Sequence, residues 1–319
     1  MLVFLAIRLI PIGKWVLASV ALFPISIQQA ASMSSDVMTL GVVFISIATI
    51  TRIFFQQNKV TKRQFIFLCI MSILLGLTKP TNLTVLILLL FVPKIKFNNN
   101  FDKFKKILAI LLLGVLFEIL WLIGTKYAGY NNNYQEILGL SQGIKPIEQL
   151  KYIFFNPLEF AETFLRSFVY EGTKSTPTPD FYIESMFGYM SLLSYKIPNF
   201  FMVLAYIGLF IALLYDKTKM SVKNLGNYAI GYFLVFVLSI IAVAVALYVV
   251  WTNVGAPQIA GIQGRYFLPI IPLLIVPFNY MTKFIIIKTD STIRIGQIIF
   301  GISLINLSVA SIITCIWFY

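Results

Sequence analysis

Residues 227–251, NYAIGYFLVFVLSIIAVAVALYVVW, run for 25 positions without one charged side chain. A helix needs about 20 apolar residues to cross a bilayer, so this stretch alone places part of the chain in lipid. Similar runs cover approximately 15–31, 35–54, 64–79, 81–93, 107–125, 199–215, 267–282 and 296–317. The whole 319-residue chain is 59% hydrophobic and 12% charged, against roughly a quarter charged in soluble domains. The expected fold is therefore all-α, a polytopic transmembrane bundle of about nine membrane segments, forming one integral membrane domain over residues 1–319.

The formal charge of +13 is a topology signal before it is a nucleic-acid signal, because Lys and Arg collect in cytoplasmic loops. Residues 52–63 hold Arg52, Lys59, Lys62 and Arg63, and residues 94–106 hold five Lys against Asp102. If both loops are cytoplasmic, an even number of crossings separates them, so "TKPTN" at 78–82 is a hairpin tip and not a kink. Threaded with the N-terminal end inside, the cytoplasmic segments carry 17 basic and 3 acidic residues and the outer ones 8 and 8. No nucleic-acid partner is expected; the partners are membrane lipids. Trp15, Trp121, Trp251 and Trp317 fall near segment ends, as interfacial anchors do. Asn-, Ile-, Lys- and Phe-rich tracts suggest an AT-rich bacterial genome, hence a bacterial cell membrane.

The connection 127–197 is expected outside. Ile147, Leu150, Phe154, Leu158, Ala161, Phe164, Leu165 and Phe168 recur at helical spacing between charged residues, which predicts outer-face amphipathic helices lying on the leaflet. Asn156, Pro157 and Glu159 read as N-cap, N1 and N3 of a restarted helix, and "FGYMSLLSY" continues the pattern. Residues 1–10 are too short to span and read like the end of a helix begun earlier, so the chain is expected to be the C-terminal portion of a longer protein.

The chain has no His, and Cys69 and Cys315 lie far apart in apolar runs. Imidazole chemistry is excluded, and neither a disulfide framework nor a thiolate metal site is suggested. Candidate functional residues are those set against apolar surroundings. Asp36, at the outer start of a span, is either part of a Ser34-Ser35-Asp36 helix cap or a ligand for a divalent cation (Mg or Mn) or a donor diphosphate. Arg265, in the Gly-rich "GAPQIAGIQGRYFLP", suits phosphate recognition or snorkels to headgroups. Lys79, on the hairpin tip, is a second phosphate-binding candidate or an interfacial anchor. Glu118 sits midway along a span and is read as a hydrogen-bonding group facing the bundle. Gln28, Gln29, Gln263, Tyr266, Glu118 and Glu184 are expected to line a cavity, with Tyr170, Glu171 and Asp180 as further loop candidates. No Gly-rich nucleotide loop, zinc-type spacing or Ser/His/Asp set is present.

"IRLIPIGKWVLASVALFPISIQQAASMSSDVMTLGVVFISIA", "LLGLTKPTNLTVLILLLFVP", "ESMFGYMSLLSYKIPN" and "VGAPQIAGIQGRYFLPIIPLL" together resemble the predicted membrane proteins of domain-of-unknown-function family 2142. The layout of that family is in turn similar to the GT-C fold of membrane glycosyltransferases, which use sugars carried on polyprenyl phosphate. The resemblance implies transfer of a sugar from such a carrier to a cell-envelope glycan on the outer face. It implies that Asp36 matches an acidic position contacting metal or donor, and Arg265 a basic position meeting the lipid phosphate. GT-C enzymes carry their principal catalytic carboxylate on the first outer loop, which has no counterpart here; a partner supplying the missing N-terminal spans is one expectation. The rival readings are a transporter or lipid flippase, and a non-catalytic envelope-assembly subunit.

Overall fold

The computed structural model describes residues 1–32, 34–127, 144–169, 179–190, 195–216, 225–282 and 289–318. Its helices are α1 (Leu2–Leu9), α2 (Lys14–Ala21), α3 (Pro24–Ala31), α4 (Ser35–Phe55), α5 (Lys62–Thr78), α6 (Leu88–Phe91), α7 (Asn100–Tyr127), α8 (Pro146–Phe155), α9 (Pro157–Val169), α10 (Pro179–Phe187), α11 (Asn199–Tyr215), α12 (Leu225–Trp251), α13 (Ile275–Met281) and α14 (Thr289–Phe318). Three 3-10 segments, Pro80–Ile87, Lys94–Lys96 and Gly264–Leu274, join them. Among the described residues, four helices are long and apolar enough to cross a membrane: α4, α7, α12 and, within α14, Gly296–Ile316.

Of the other apolar runs, 64–79 and 199–215 form the single 17-residue helices α5 and α11, and the rest are built from shorter pieces. The run 15–31 is not one helix: Phe23 is extended and Pro24 opens α3, because proline lacks the N–H that a continuing helix would use. In 267–282, Pro269 and Pro272 lie inside an eleven-residue 3-10 segment, longer than the usual three or four residues. At a rise of about 2.0 Å per 3-10 residue and 1.5 Å per α residue, Gly264–Met281 extends about 32 Å. Pro80–Phe91 extends only about 22 Å by the same rises, against a hydrocarbon thickness of about 30 Å.

The turn at Lys79 is a hairpin, as the charge of its flanking loops predicts. Val60 N donates to Lys96 O at 2.8 Å and Lys59 Nζ to Asn98 Oδ1 at 3.3 Å, so the two basic loops meet at one end. A capping box of Thr61 and Gln64 starts α5 there. Phe54 stacks edge-on with Tyr228 near the start of α12, centroids 4.7 Å apart. Trp15 N and Asp216 Oδ2 are 2.5 Å apart, and the Trp15 ring packs on Gly296. Lipid tails are as apolar as leucine, so helix contacts rest on van der Waals packing and on hydrogen bonds worth about 0.6 kcal/mol each. Examples are Thr51 to Tyr232 and Thr84 to Ser239, both 2.7 Å, and Ser72 to Ile110 O, 2.5 Å.

Helices α8, α9 and α10 form a layer beyond the other end of α12. The expected helix restart holds, with α9 beginning at Pro157 and Phe160 N donating to Asn156 O. Their apolar residues divide in two: Phe160, Phe164 and Phe168 pack inward with Tyr248 and Tyr182, whereas Ile147, Leu150, Phe154, Leu158 and Leu165 are exposed. The "FGYMSLLSY" stretch does not continue the helix. Tyr189–Met190 pair antiparallel with Tyr195–Lys196, after α10 ends at Phe187.

Candidate functional site

Three N-terminal helix ends converge opposite the basic loops. Ser34 caps α4, its Oγ accepting from Asp36 N at 3.1 Å, which leaves the Asp36 carboxylate in the first turn, side chain free to reach outward. Lys79 precedes the 3-10 segment Pro80–Ile87, and Arg265 and Tyr266 stand in the first turn of Gly264–Leu274. Asp36 accepts from Lys79 Nζ, and its other oxygen lies 3.6 Å from Arg265 Nε. The Tyr266 ring supports both cations: Lys79 Nζ is 4.7 Å and Arg265 Cζ 5.6 Å from its centroid. One carboxylate thus holds two cations, for a net charge of +1 before the dipoles of three helix starts, which also favour an anion, are added.

This cluster opens into a cavity of about 360 Å³, within the size range of small-molecule sites. Its polar wall includes Gln29, Asp36, Lys79 and Arg265, and its apolar wall is the C-terminal third of α12, Val243, Ala246, Leu247 and Val250. Among the described residues Gln29 Oε1 and Arg265 Nε are buried without a hydrogen-bond partner, Arg265 Nε having only the 3.6 Å ion-pair contact with Asp36. An anion attached to an apolar chain matches both walls.

Of the residues singled out in the sequence, Asp36, Lys79, Arg265, Gln29 and Tyr266 are brought together. Gln28, Gln263, Glu118 and Glu184 do not line this cavity. Gln263 caps the 3-10 segment from outside, and its Oε1, like that of Gln28, is buried without a partner. Glu184 pairs with Lys196. Glu118 is half-buried on α7 with neither a hydrogen bond nor an ion pair among the described residues, where an interhelical bond was expected; only its backbone nitrogen is close to Gly76 of α5. Tyr170, Glu171 and the side chain of Asp180 lie outside the described residues.

No group of three or more acidic, Cys or His side chains occurs among the described residues, so a divalent cation on Asp36 would draw its remaining oxygen ligands from a bound diphosphate and water. In the structure both Asp36 oxygens face side-chain cations. The glycines before Arg265 serve a different purpose from close approach to a ligand. A Cβ on Gly264 would overlap the carbonyl oxygen of Tyr182, and one on Gly261, whose φ is +77°, would overlap the Trp251 indole.

Sequence reasoning missed what fixes this segment. Gln149 Oε1 accepts from Gly255 N at 3.1 Å, Ser167 Oγ from Ile259 N at 2.8 Å, Thr252 Oγ1 from Ala260 N at 3.0 Å, and Ser185 Oγ from Gly264 N at 2.8 Å. Neutral side chains of α8, α9 and α10, with Thr252 just after α12, thereby satisfy the backbone leading to Arg265. Their signal was the polar spacing Gln149, Thr163, Ser167 on otherwise apolar helix faces, all three buried.

A family model described as "Predicted membrane protein (DUF2142)" matches residues 1–274, and the chain belongs to that family. No curated protein and no solved structure matches the chain.

Proposed function

We propose that the protein is a GT-C-like membrane glycosyltransferase that takes a sugar from a polyprenyl-phosphate carrier on the outer face of the cell membrane. The observation that carries this reading is the pairing of Lys79 and Arg265 on one carboxylate at the mouth of a cavity whose far wall is apolar helix. The prenyl chain lies against Val243, Leu247 and Val250, and the phosphate displaces part of the Asp36 contact to reach Lys79 and Arg265. In transfer, the acceptor oxygen bonds to the anomeric carbon as the bond from that carbon to the phosphate oxygen breaks. The electron pair leaves with the phosphate, where cations stabilise the developing charge, and the acceptor proton passes to a carboxylate base. Asp36, held between two cations, positions them. Under the sequence-based topology of about nine crossings with the basic loops inside, the mouth faces outward.

Arg265→Ala tests the role: transfer from a polyprenyl-phosphate sugar is lost while membrane insertion is unchanged. Normal turnover with wild-type insertion contradicts it. The commitment of Asp36 to Lys79 and Arg265 also favours a second reading, a carrier or assembly subunit that binds the same lipid phosphate without chemistry. Counterflow of labelled lipid-linked sugar in proteoliposomes, with no glycosylated product, distinguishes the carrier.

A further inference from the structure

At the lysine-rich end a second cavity, of about 420 Å³, lies between the segment after α6 and the first three turns of α7. One end of it is polar, with Lys94, Asn100 and Lys103; the rest is apolar, with Leu90, Phe104 and Leu111. On α7 the lining residues recur three or four apart, so they form one face of that helix. Phe104 is 62% and Leu90 51% exposed, so the groove opens towards the surroundings of the bundle.

The five lysines of residues 94–106 do not behave alike. Lys96 donates to Gln56 O, Lys106 pairs with Asp102 at 2.9 Å, and Lys105 lies over the Phe101 ring at 4.3 Å. The two that remain line the groove. Lys103 Nζ donates to Leu90 O at 2.8 Å and Val92 O at 2.7 Å, which leaves one of its three protons unspent. Lys94 is exposed and has no hydrogen bond or ion pair among the described residues. Its charge acts repulsively on Lys103, and no acidic side chain lines the cavity.

We propose that this groove binds an anionic glycerophospholipid from the leaflet at the lysine-rich end. The phosphodiester bridges Lys94 and Lys103, and the upper part of one acyl chain lies along Leu90, Phe104 and Leu111. A cation pair at one end of an apolar trough matches a lipid's own division into charged head and apolar chain, and the anion relieves the repulsion between the two ammonium groups. Basic pockets between membrane helices bind anionic headgroups in this way. The site is separate from the Asp36 cavity and stands whether or not that cavity handles a prenyl phosphate.

Native mass spectrometry of the detergent-purified chain, titrated with phosphatidylglycerol or phosphatidylcholine of identical acyl chains, tests this. Phosphatidylglycerol is expected to bind about tenfold tighter. Lys94→Gln is expected to weaken it about fivefold, since one lysine near a membrane surface is worth about 1 kcal/mol. Lys105→Gln, which changes charge equally but lies outside the groove, should leave binding unchanged. Excess inorganic phosphate should not displace the lipid, and Leu111→Ala should weaken lipid retention. Equal binding of the two lipids, an equal loss in the Lys105 variant, or displacement by inorganic phosphate would each overturn the proposal.

Discussion

Asp36 lies in the first turn of α4 and Asp216 just beyond the last turn of α11; the two carboxylates stand at opposite ends of the bundle and have opposite uses. Asp216 closes α11 and accepts from Trp15 N, giving α2 the cap that its own Gly13 cannot supply. Its charge is used on backbone donors inside the protein. Asp36 needs no such role, because Ser34 already caps α4; its charge is used on two cations beside a cavity. A carboxylate satisfied by backbone N–H groups fixes structure, whereas one satisfied by mobile side-chain cations can be exchanged for another anion. The difference lies in the partners, not in the residue.

The largest effect expected is at the segment that carries Arg265. Gly264→Ala puts a methyl group onto the Tyr182 carbonyl oxygen, and overpacking against backbone costs about 3 kcal/mol. A thermal melt in detergent should show a drop of several degrees, and an unchanged midpoint would mean that α10 does not press on this segment. Asp36→Asn leaves Lys79 and Arg265 facing each other without their shared anion. Breaking a fully buried pair costs about 3–5 kcal/mol; here the side chains are 17–30% exposed, and screening reduces the loss to about 1–2 kcal/mol. Asp216→Asn retains an oxygen for Trp15 N, so its loss should be smaller; equal losses would erase the contrast between the two sites.

Acid sharpens the same contrast. Burial pushes the Asp216 carboxyl up from 3.8 to about 6, against the lowering influence of the Trp15 N–H and Lys14. The folded chain therefore binds this proton more tightly than the unfolded one. The resulting stabilisation is full below about 3.8 and is lost as pH rises through about 6. Melts between pH 4 and 6.5 should show this slope in the wild type and a flatter one in Asp216→Asn; parallel slopes would contradict the assignment. The smallest effect is expected in the outer layer. Glu162 and Arg166 form an exposed i,i+4 pair, so Glu162→Ala should change stability by no more than about 0.5 kcal/mol, and a larger loss would give the pair a role beyond the surface.

The hairpin at Lys79 was legible because two lysine-rich loops must share a side, and the restart at Pro157 because Asn-Pro followed by Glu is a helix-start pattern. Asp36, Lys79 and Arg265 could be singled out one by one, each an ionisable residue against an apolar background. Their meeting could not be read, since Lys79 is 43 positions from Asp36 and nothing local couples either to Arg265. Pro24 was a visible warning that 15–31 is broken, outweighed by the length and apolarity of the run. The long 3-10 stretches could not be told from α-helix in the sequence, because both present as apolar runs and only Pro80, Pro269 and Pro272 hint at the difference. Ser185 escaped notice for a chemical reason: an uncharged hydroxyl among acids and bases gives no sign that it will meet a backbone N–H.

The most direct test is binding of a polyprenyl phosphate to the purified full chain, compared with the corresponding polyprenol, in wild type and in Arg265→Ala. If Lys79 and Arg265 hold the phosphate, the phosphate form binds at least about tenfold tighter than the alcohol, a difference of about 1.4 kcal/mol, and Arg265→Ala removes most of that margin. Equal affinity for the two lipids, or a margin untouched by Arg265→Ala, would contradict the assignment of this cavity to a lipid phosphate.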